Sequence, residues 1–200
     1  MGEVNKPRRA DAVRNRARIV AAAEQLLASR GIAVSVDEIA REAGVGVGTL
    51  YRHFPTKEDL FEAILLQRLE RLVTQAEAYA GSDDPGAGFF DFLSGWIGAA
   101  AASRDLADGM AQAGYDAHAM TAGIKQRLYD ALEVLLERAQ AGGAARDDIG
   151  IDDLRVLLNG ACMGVRDAED ERRARVIEVW CDGLRPVPKR ATRAPARARR

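Results

Sequence analysis

Two cysteines and two histidines in 200 residues are too few for a disulfide framework, and no C-x-x-C or H-E-x-x-H spacing offers a metal site. Cys162 and Cys181 each fall on an apolar helical pattern, where a buried thiol is the expectation, and their scarcity fits a reducing compartment. No serine or cysteine is paired with a base, and His118 stands alone in sequence. The carboxylate pairs Asp83-Asp84 and Asp147-Asp148 lie in turn-like stretches as solvated loop residues. The expectation is therefore no enzyme, no cofactor and no metal. Long apolar runs are missing as well: the longest, around Trp96 to Ala102, is far short of the ~20 residues that cross a bilayer. The amino-terminal stretch is polar and basic without a signal-peptide core, which predicts a cytoplasmic chain with no membrane partner. Alternating apolar and polar residues of a half-buried strand are also absent, and the fold class expected is all-α.

Net charge is close to zero, with 29 basic against 30 acidic residues, but the distribution is uneven. Residues 1–57 carry 10 Lys/Arg and 6 Asp/Glu, residues 58–184 carry 12 and 24, and residues 185–200 carry 7 and none. A basic head on an acidic body orients toward a polyanion, and the salt-sensitive attraction of phosphates is the simplest use of such an asymmetry. The last segment, with prolines at 186, 188 and 195, reads as a disordered basic tail. At the other end, residues 1–10 read as a flexible basic arm.

Between them, the most informative stretch is 35–61. Ser35 is placed to cap free backbone N–H groups, and Glu38, three residues on, completes a capping box. Ile39, Ala40 and Ala43 then form a small apolar face, and Gly44 supplies the left-handed residue that a sharp helix-to-helix turn needs. A second helix, roughly Val47 to His53, buries Leu50 and Phe54 and turns Val47, Thr49, Tyr51, Arg52 and His53 outward. Pro55 ends it, and Thr56 with Asp59 opens a third helix with Lys57 in its first turn, where free N–H groups attract phosphate. Gly44, Gly46 and Gly48 do not make a nucleotide loop, because Thr49 occupies the third glycine position and no Gly-Lys-Ser/Thr follows. The layout is that of a helix-turn-helix, preceded by a bracing helix from about Asp11 to Arg30. It defines a DNA-binding domain at 11–57. The competing class is a helical protein-interaction module that does not bind specific DNA.

Ile39-Ala40, Ala43-Gly44-Val45, Gly48-Thr49-Leu50-Tyr51, His53-Phe54 and Lys57-Glu58 together resemble the DNA-binding domain of TetR-family regulators. The resemblance implies groove contacts from Val47, Gly48 and Thr49 and phosphate contacts from Ser35, Tyr51, His53 and Lys57, with Arg52 and Val36 as further candidates. It departs from the family's pattern at Gly46, often Ser or Thr there, and at Val47, often polar or basic. What it implies for function is a transcriptional regulator, a repressor released from a palindromic double-stranded operator when a small-molecule effector binds the carboxyl-terminal domain.

Residues 58–184 are expected to form that effector-binding and dimerisation body, giving about nine helices in all. A helix from Thr56 to about Ala80 links head to body, and helices follow near 87–102, 104–113, 118–141, 152–166 and 169–184. Phe89, Phe92, Leu93, Trp96, Met110, Tyr115, His118, Tyr129 and Met163 are the candidate lining of an effector pocket; aromatic and methionine side chains at helical spacing also read simply as core. The last two helices carry more apolar surface than a terminal hairpin can bury, which predicts a four-helix-bundle homodimer through Leu157, Ala161, Gly164, Val176, Val179 and Trp180.

Overall fold

A computed structural model describes the backbone of residues 6–112, 114 and 116–186, and the side-chain surroundings of all of these except 6–9, 100–108, 112 and 117–120. Tyr115, the side chain of His118 and the tail beyond 186 lie outside the described residues.

Eight helices and no strand are found among the described residues: α1 (Lys6–Arg30), α2 (Val36–Glu42), α3 (Val47–His53), α4 (Lys57–Ala80), α5 (Pro85–Gln112), α6 (Ala117–Ala141), α7 (Ile151–Gly164) and α8 (Asp170–Gly183). The all-α class expected from the sequence is what is seen. Two boundaries differ. Helix α1 starts at Lys6, inside the segment expected to be an arm. The segments expected as two helices at 87–102 and 104–113 are one, α5, because the alanines at 99–102 favour helix and Ser103 does not interrupt it.

Local chemistry fixes the head. The Ser35 and Glu38 capping box forms in full: Glu38 N–H donates to Ser35 Oγ at 3.3 Å and Ser35 N–H to Glu38 Oε2 at 3.0 Å. The Thr56 and Asp59 box repeats it at the start of α4, with bonds of 3.1 and 2.9 Å. Between them Gly44 sits at φ 62°, a conformation an L side chain adopts only under strain. Arg18 reaches across from α1 and donates to the Gly44 carbonyl at 3.3 Å, tying the bracing helix to the turn.

Two apolar clusters fill the molecule. One gathers Ile19, Val20, Ala23, Leu26 and Leu27 of α1 with Ile39, Leu50, Phe54, Leu60, Phe61 and Ile64. The other gathers Val73, Ala76, Phe89, Phe92, Leu93, Ile97, Leu128, Leu132, Leu135, Leu154, Leu158 and Leu184. Two helices belong to both. The first half of α4 lies in the head cluster and its second half in the body cluster, while α5 contributes Phe89 to Ile97 to the body and Met110 to the head. At that junction Gly109 lies so close to Ile32 that a methyl group there would sit 3.2 Å from its Cβ. Glu24 of α1 adds a polar tie, accepting from Arg68 at 2.8 Å and Arg71 at 2.6 Å of α4.

Candidate nucleic-acid interface

The residues proposed to read DNA all lie on α2, α3 and the start of α4, but they are not equally free to do so. Tyr51 is 48% exposed, and Gly48 and Arg52 are also exposed, while Thr49 and His53 are half-buried. Around Gly48 a Cβ would meet nothing within 4 Å, so this position offers backbone to an approaching surface without steric obstruction. Pro55 follows the helix and Phe54 closes it from below, with its ring 1% exposed and its N–H donating to the Leu50 carbonyl at 2.8 Å.

Four expected contacts are more constrained than the sequence indicated. Val47 and Val36 are half-buried and pack against the head cluster. Val47 was expected to face outward. Its position at the first turn instead leaves part of its side chain covered, because α3 is only 7 residues long and the turn before it folds close. Ser35 Oγ is committed to the capping box, also donating to Glu38 Oε2 at 2.9 Å. Lys57 Nζ donates to the Ile32 carbonyl at 2.9 Å and lies 5.3 Å from the centre of the Phe61 ring. An ammonium has three N–H donors, so Lys57 retains two for an outside acceptor while its position is fixed.

One basic residue of this surface escaped the sequence reading. Arg16 of α1 lies with its guanidinium carbon 5.0 Å from the centre of the Phe54 ring, at the carboxyl end of α3. It was not among the candidate contacts named from the sequence. Its spacing of three and four before the buried Ile19 and Val20 was the available signal.

The candidate pocket residues divide. Phe89, Phe92 and Leu93 are within 2% of full burial in the body cluster, and Trp96 and Tyr129 pack against it with ring centres 6.4 Å apart and nearly parallel. Arg155 of α7 caps this stack 4.3 Å from the Tyr129 ring centre. Met110 is not part of it: α5 is continuous, so Met110 lands in the head cluster. Met163 is 49% exposed on the opposite, outer side of α7 from the buried Leu154, Leu158 and Cys162. Cys162 and Cys181 are buried and no disulfide joins them; burial pushes the Cys181 thiol above its ordinary value, which keeps it protonated and unreactive.

The candidate dimer surface is largely bare. Leu157 and Val176 are each 41% exposed and Val179 is 71% exposed; Gly164 is exposed, Trp180 half-buried, and Ala161 is buried within the body. Val156, 74% exposed, belongs with them and was missed because it falls outside the face that Leu154 and Leu158 define. Two shallow concavities of about 240 and 390 Å³ lie on this same side, sharing Arg146, Ile149 and Leu157. No helix among the described residues is long and apolar enough to cross a membrane.

Comparison with known proteins agrees with this architecture. The sequence profile of the bacterial regulatory proteins of the tetR family matches residues 19–64, and that of the transcriptional regulator SbtR-like C-terminal domain matches residues 84–186. The crystal structure of a TetR transcription regulatory protein from Mycobacterium vanbaalenii superimposes with a TM-score of 0.74 at 37% identity, covering 88% of this chain and 98% of that one. The TetR transcriptional regulator SCO0520 from Streptomyces coelicolor does so at 0.72 and 32%, covering 86% and 99%. An HTH-type transcriptional regulator of Staphylococcus aureus, SAB2452, is 43% identical over 68 residues, 34% of this chain and 37% of its own length; the chain thus spans just over a third of that curated relative. A helix-turn-helix head on an all-helical body defines a class of transcriptional regulator rather than an enzyme. Within that class, the chain belongs to the TetR family.

Proposed function

We propose that the chain binds a roughly palindromic operator as a homodimer and represses transcription in the cytoplasm until a small effector, held in the body, releases it. The observation that carries this reading is a pairing of surfaces: an exposed face of Gly48, Tyr51 and Arg52 on α3, and at the other end of the molecule the apolar side chains of Val156, Leu157, Val176 and Val179 left bare on α7 and α8. Leu157, Gly164, Val176, Val179 and Trp180 form the interface in this reading, with Ala161 buried behind them in the body, packed as a four-helix bundle. A twofold axis there presents two α3 helices to successive major grooves, ~34 Å apart. Tyr51, Arg52, His53 and Lys57 contact phosphates, and Gly48 and Thr49 approach base edges, with Ser35, Val36 and Val47 in supporting positions.

The effector site is assigned to the side of the body cluster where Trp96, Tyr129 and Phe92 meet. The shared helices α4 and α5 are the route by which occupancy reaches the head. An effector that favours a body conformation with the heads off groove spacing shifts the population away from DNA.

Analytical ultracentrifugation and fluorescence anisotropy on a duplex enriched from a random pool by the full-length protein test this together. The expected results are a dimer, tight binding that weakens steeply with salt, and loss of both on Val179→Asp. A monomeric wild-type protein, or a monomeric Val179→Asp variant that binds the duplex as tightly as the wild type, would overturn the dimeric reading; absence of duplex binding at low salt would overturn the DNA reading.

A further inference from the structure

We propose that Arg16 of the bracing helix is an additional phosphate-binding residue, held ready by the ring of Phe54. The inference rests on the DNA-binding reading and extends it to a helix outside the helix-turn-helix. The buried stripe of α1 runs through Ile19, Val20, Ala23, Leu26 and Leu27. Arg16 continues that stripe one turn toward the amino terminus, and so its side chain reaches the ring of Phe54 while the residue remains exposed to solvent. The guanidinium carbon stands 5.0 Å from the Phe54 ring centre, and Arg16 is exposed.

Arg14 and Arg18, its neighbours on α1, are both committed. Arg14 pairs with Asp11 and Arg18 donates to the Gly44 carbonyl. Arg16 forms no ion pair with a described carboxylate, and its guanidinium carbon lies over the Phe54 ring. A guanidinium's N–H groups point outward in its plane, the geometry that donates to two oxygens of one phosphate. An aromatic face beneath an arginine restricts its rotamers before binding, so less freedom is lost when a phosphate arrives. Phe54 directly follows His53, and the two rings are 6.5 Å apart. Arg16 is therefore beside the carboxyl end of the reading helix, on the flank where Tyr51, Arg52 and His53 meet the backbone. From there α1 continues ten residues further, to Lys6, ~15 Å of helix.

The test is the salt dependence of duplex binding by the full-length protein, again on the duplex enriched by the wild type. Arg16→Ala and Arg16→Gln are each expected to weaken binding about tenfold or more, and to reduce the slope of log affinity against log salt by about 2, one phosphate from each head of a dimer. Arg16→Lys, which keeps the charge and loses the planar fork, is expected to restore most of the slope while leaving affinity reduced. Arg138→Ala, an exposed arginine of the body, is the charge control and keeps the wild-type slope. A purely structural role for Arg16 would lower the melting temperature in all three Arg16 variants and leave the slope at the wild-type value; that result, or unchanged affinity in Arg16→Ala, overturns the proposal. Failure of the wild type to bind any duplex would reject the DNA reading itself.

Discussion

Head and body are stabilised in different ways. In the head, two helix starts are set by chemistry within a few residues, by complete capping boxes at Ser35 and Thr56 with a left-handed glycine between them, while α3 opens on Gly46 without a side-chain cap. In the body, α7 opens on Gly150 with only the backward half of a box, Gly150 N–H to Asp153 at 3.0 Å, and α8 opens on Glu169 with no side-chain cap. Its helices are held by long-range apolar contacts among α4, α5, α6 and α7. The difference teaches that the head's shape is written locally and resists change at each position, whereas the body's shape is a property of its core, open to gradual reshaping as residues around Trp96 and Tyr129 vary.

The sharpest challenge to that contrast is to damage each core in turn. Phe54→Ala and Phe89→Ala, both at fully buried positions, are each expected to cost ~3–5 kcal/mol. Trp96 and Trp180, the only tryptophans, both lie in the body. Because α4 and α5 belong to both clusters, Phe54→Ala should lower the midpoint seen by tryptophan fluorescence as much as that seen by circular dichroism. Two separated transitions would mean that head and body unfold independently.

Next in size is the turn. Gly44→Ala forces a side chain into the left-handed region and brings its Cβ to 2.5 Å from Arg18 Nη2, the far end of a flexible side chain. The expected cost is ~1–2 kcal/mol, and Arg18→Ala should recover little of it, since the backbone conformation and not the arginine dominates. Removing a cap comes below that: Ser35→Ala or Thr56→Ala should each cost ~1 kcal/mol in urea unfolding, whereas Glu169→Ala, with no capping bond to lose, should be near neutral.

The smallest effect expected is a pH dependence at the joint of α1 and α4. Burial is the largest single influence on Glu24 and pushes its carboxyl up, but hydrogen bonds and charge from Arg71 and Arg68 together hold it below the ordinary value. A depressed carboxyl contributes its stability in full above the unfolded-state value and loses it as pH falls through the folded one. Acid titration of the melting temperature should therefore be shallower in Glu24→Gln than in the wild type across the carboxylate range.

Much of the head could be read before any coordinates, because capping boxes, a turn glycine and a proline stop are local signals. Its exceptions are instructive. Val47 was expected outward from periodicity alone, yet a short helix tucked against a turn covers one side of its first residue. Arg16 was not among the expected contacts, although its spacing placed it in line with the buried stripe. In the body, helices were legible but their depth was not: Met110 and Met163 had the composition of a pocket lining, and only the unbroken course of α5 and the orientation of α7 show that one lies in the head and the other in solvent. Periodicity says which residues share a face, and not which neighbour covers it.

Met110 also bears on how such a regulator can be taken apart. Its side chain is fully enclosed among residues of α1 to α4, so a fragment ending at Ala80 would carry a methionine-sized hole in its interior. Grafting this head onto a foreign sensor would then require the tip of α5 to travel with it.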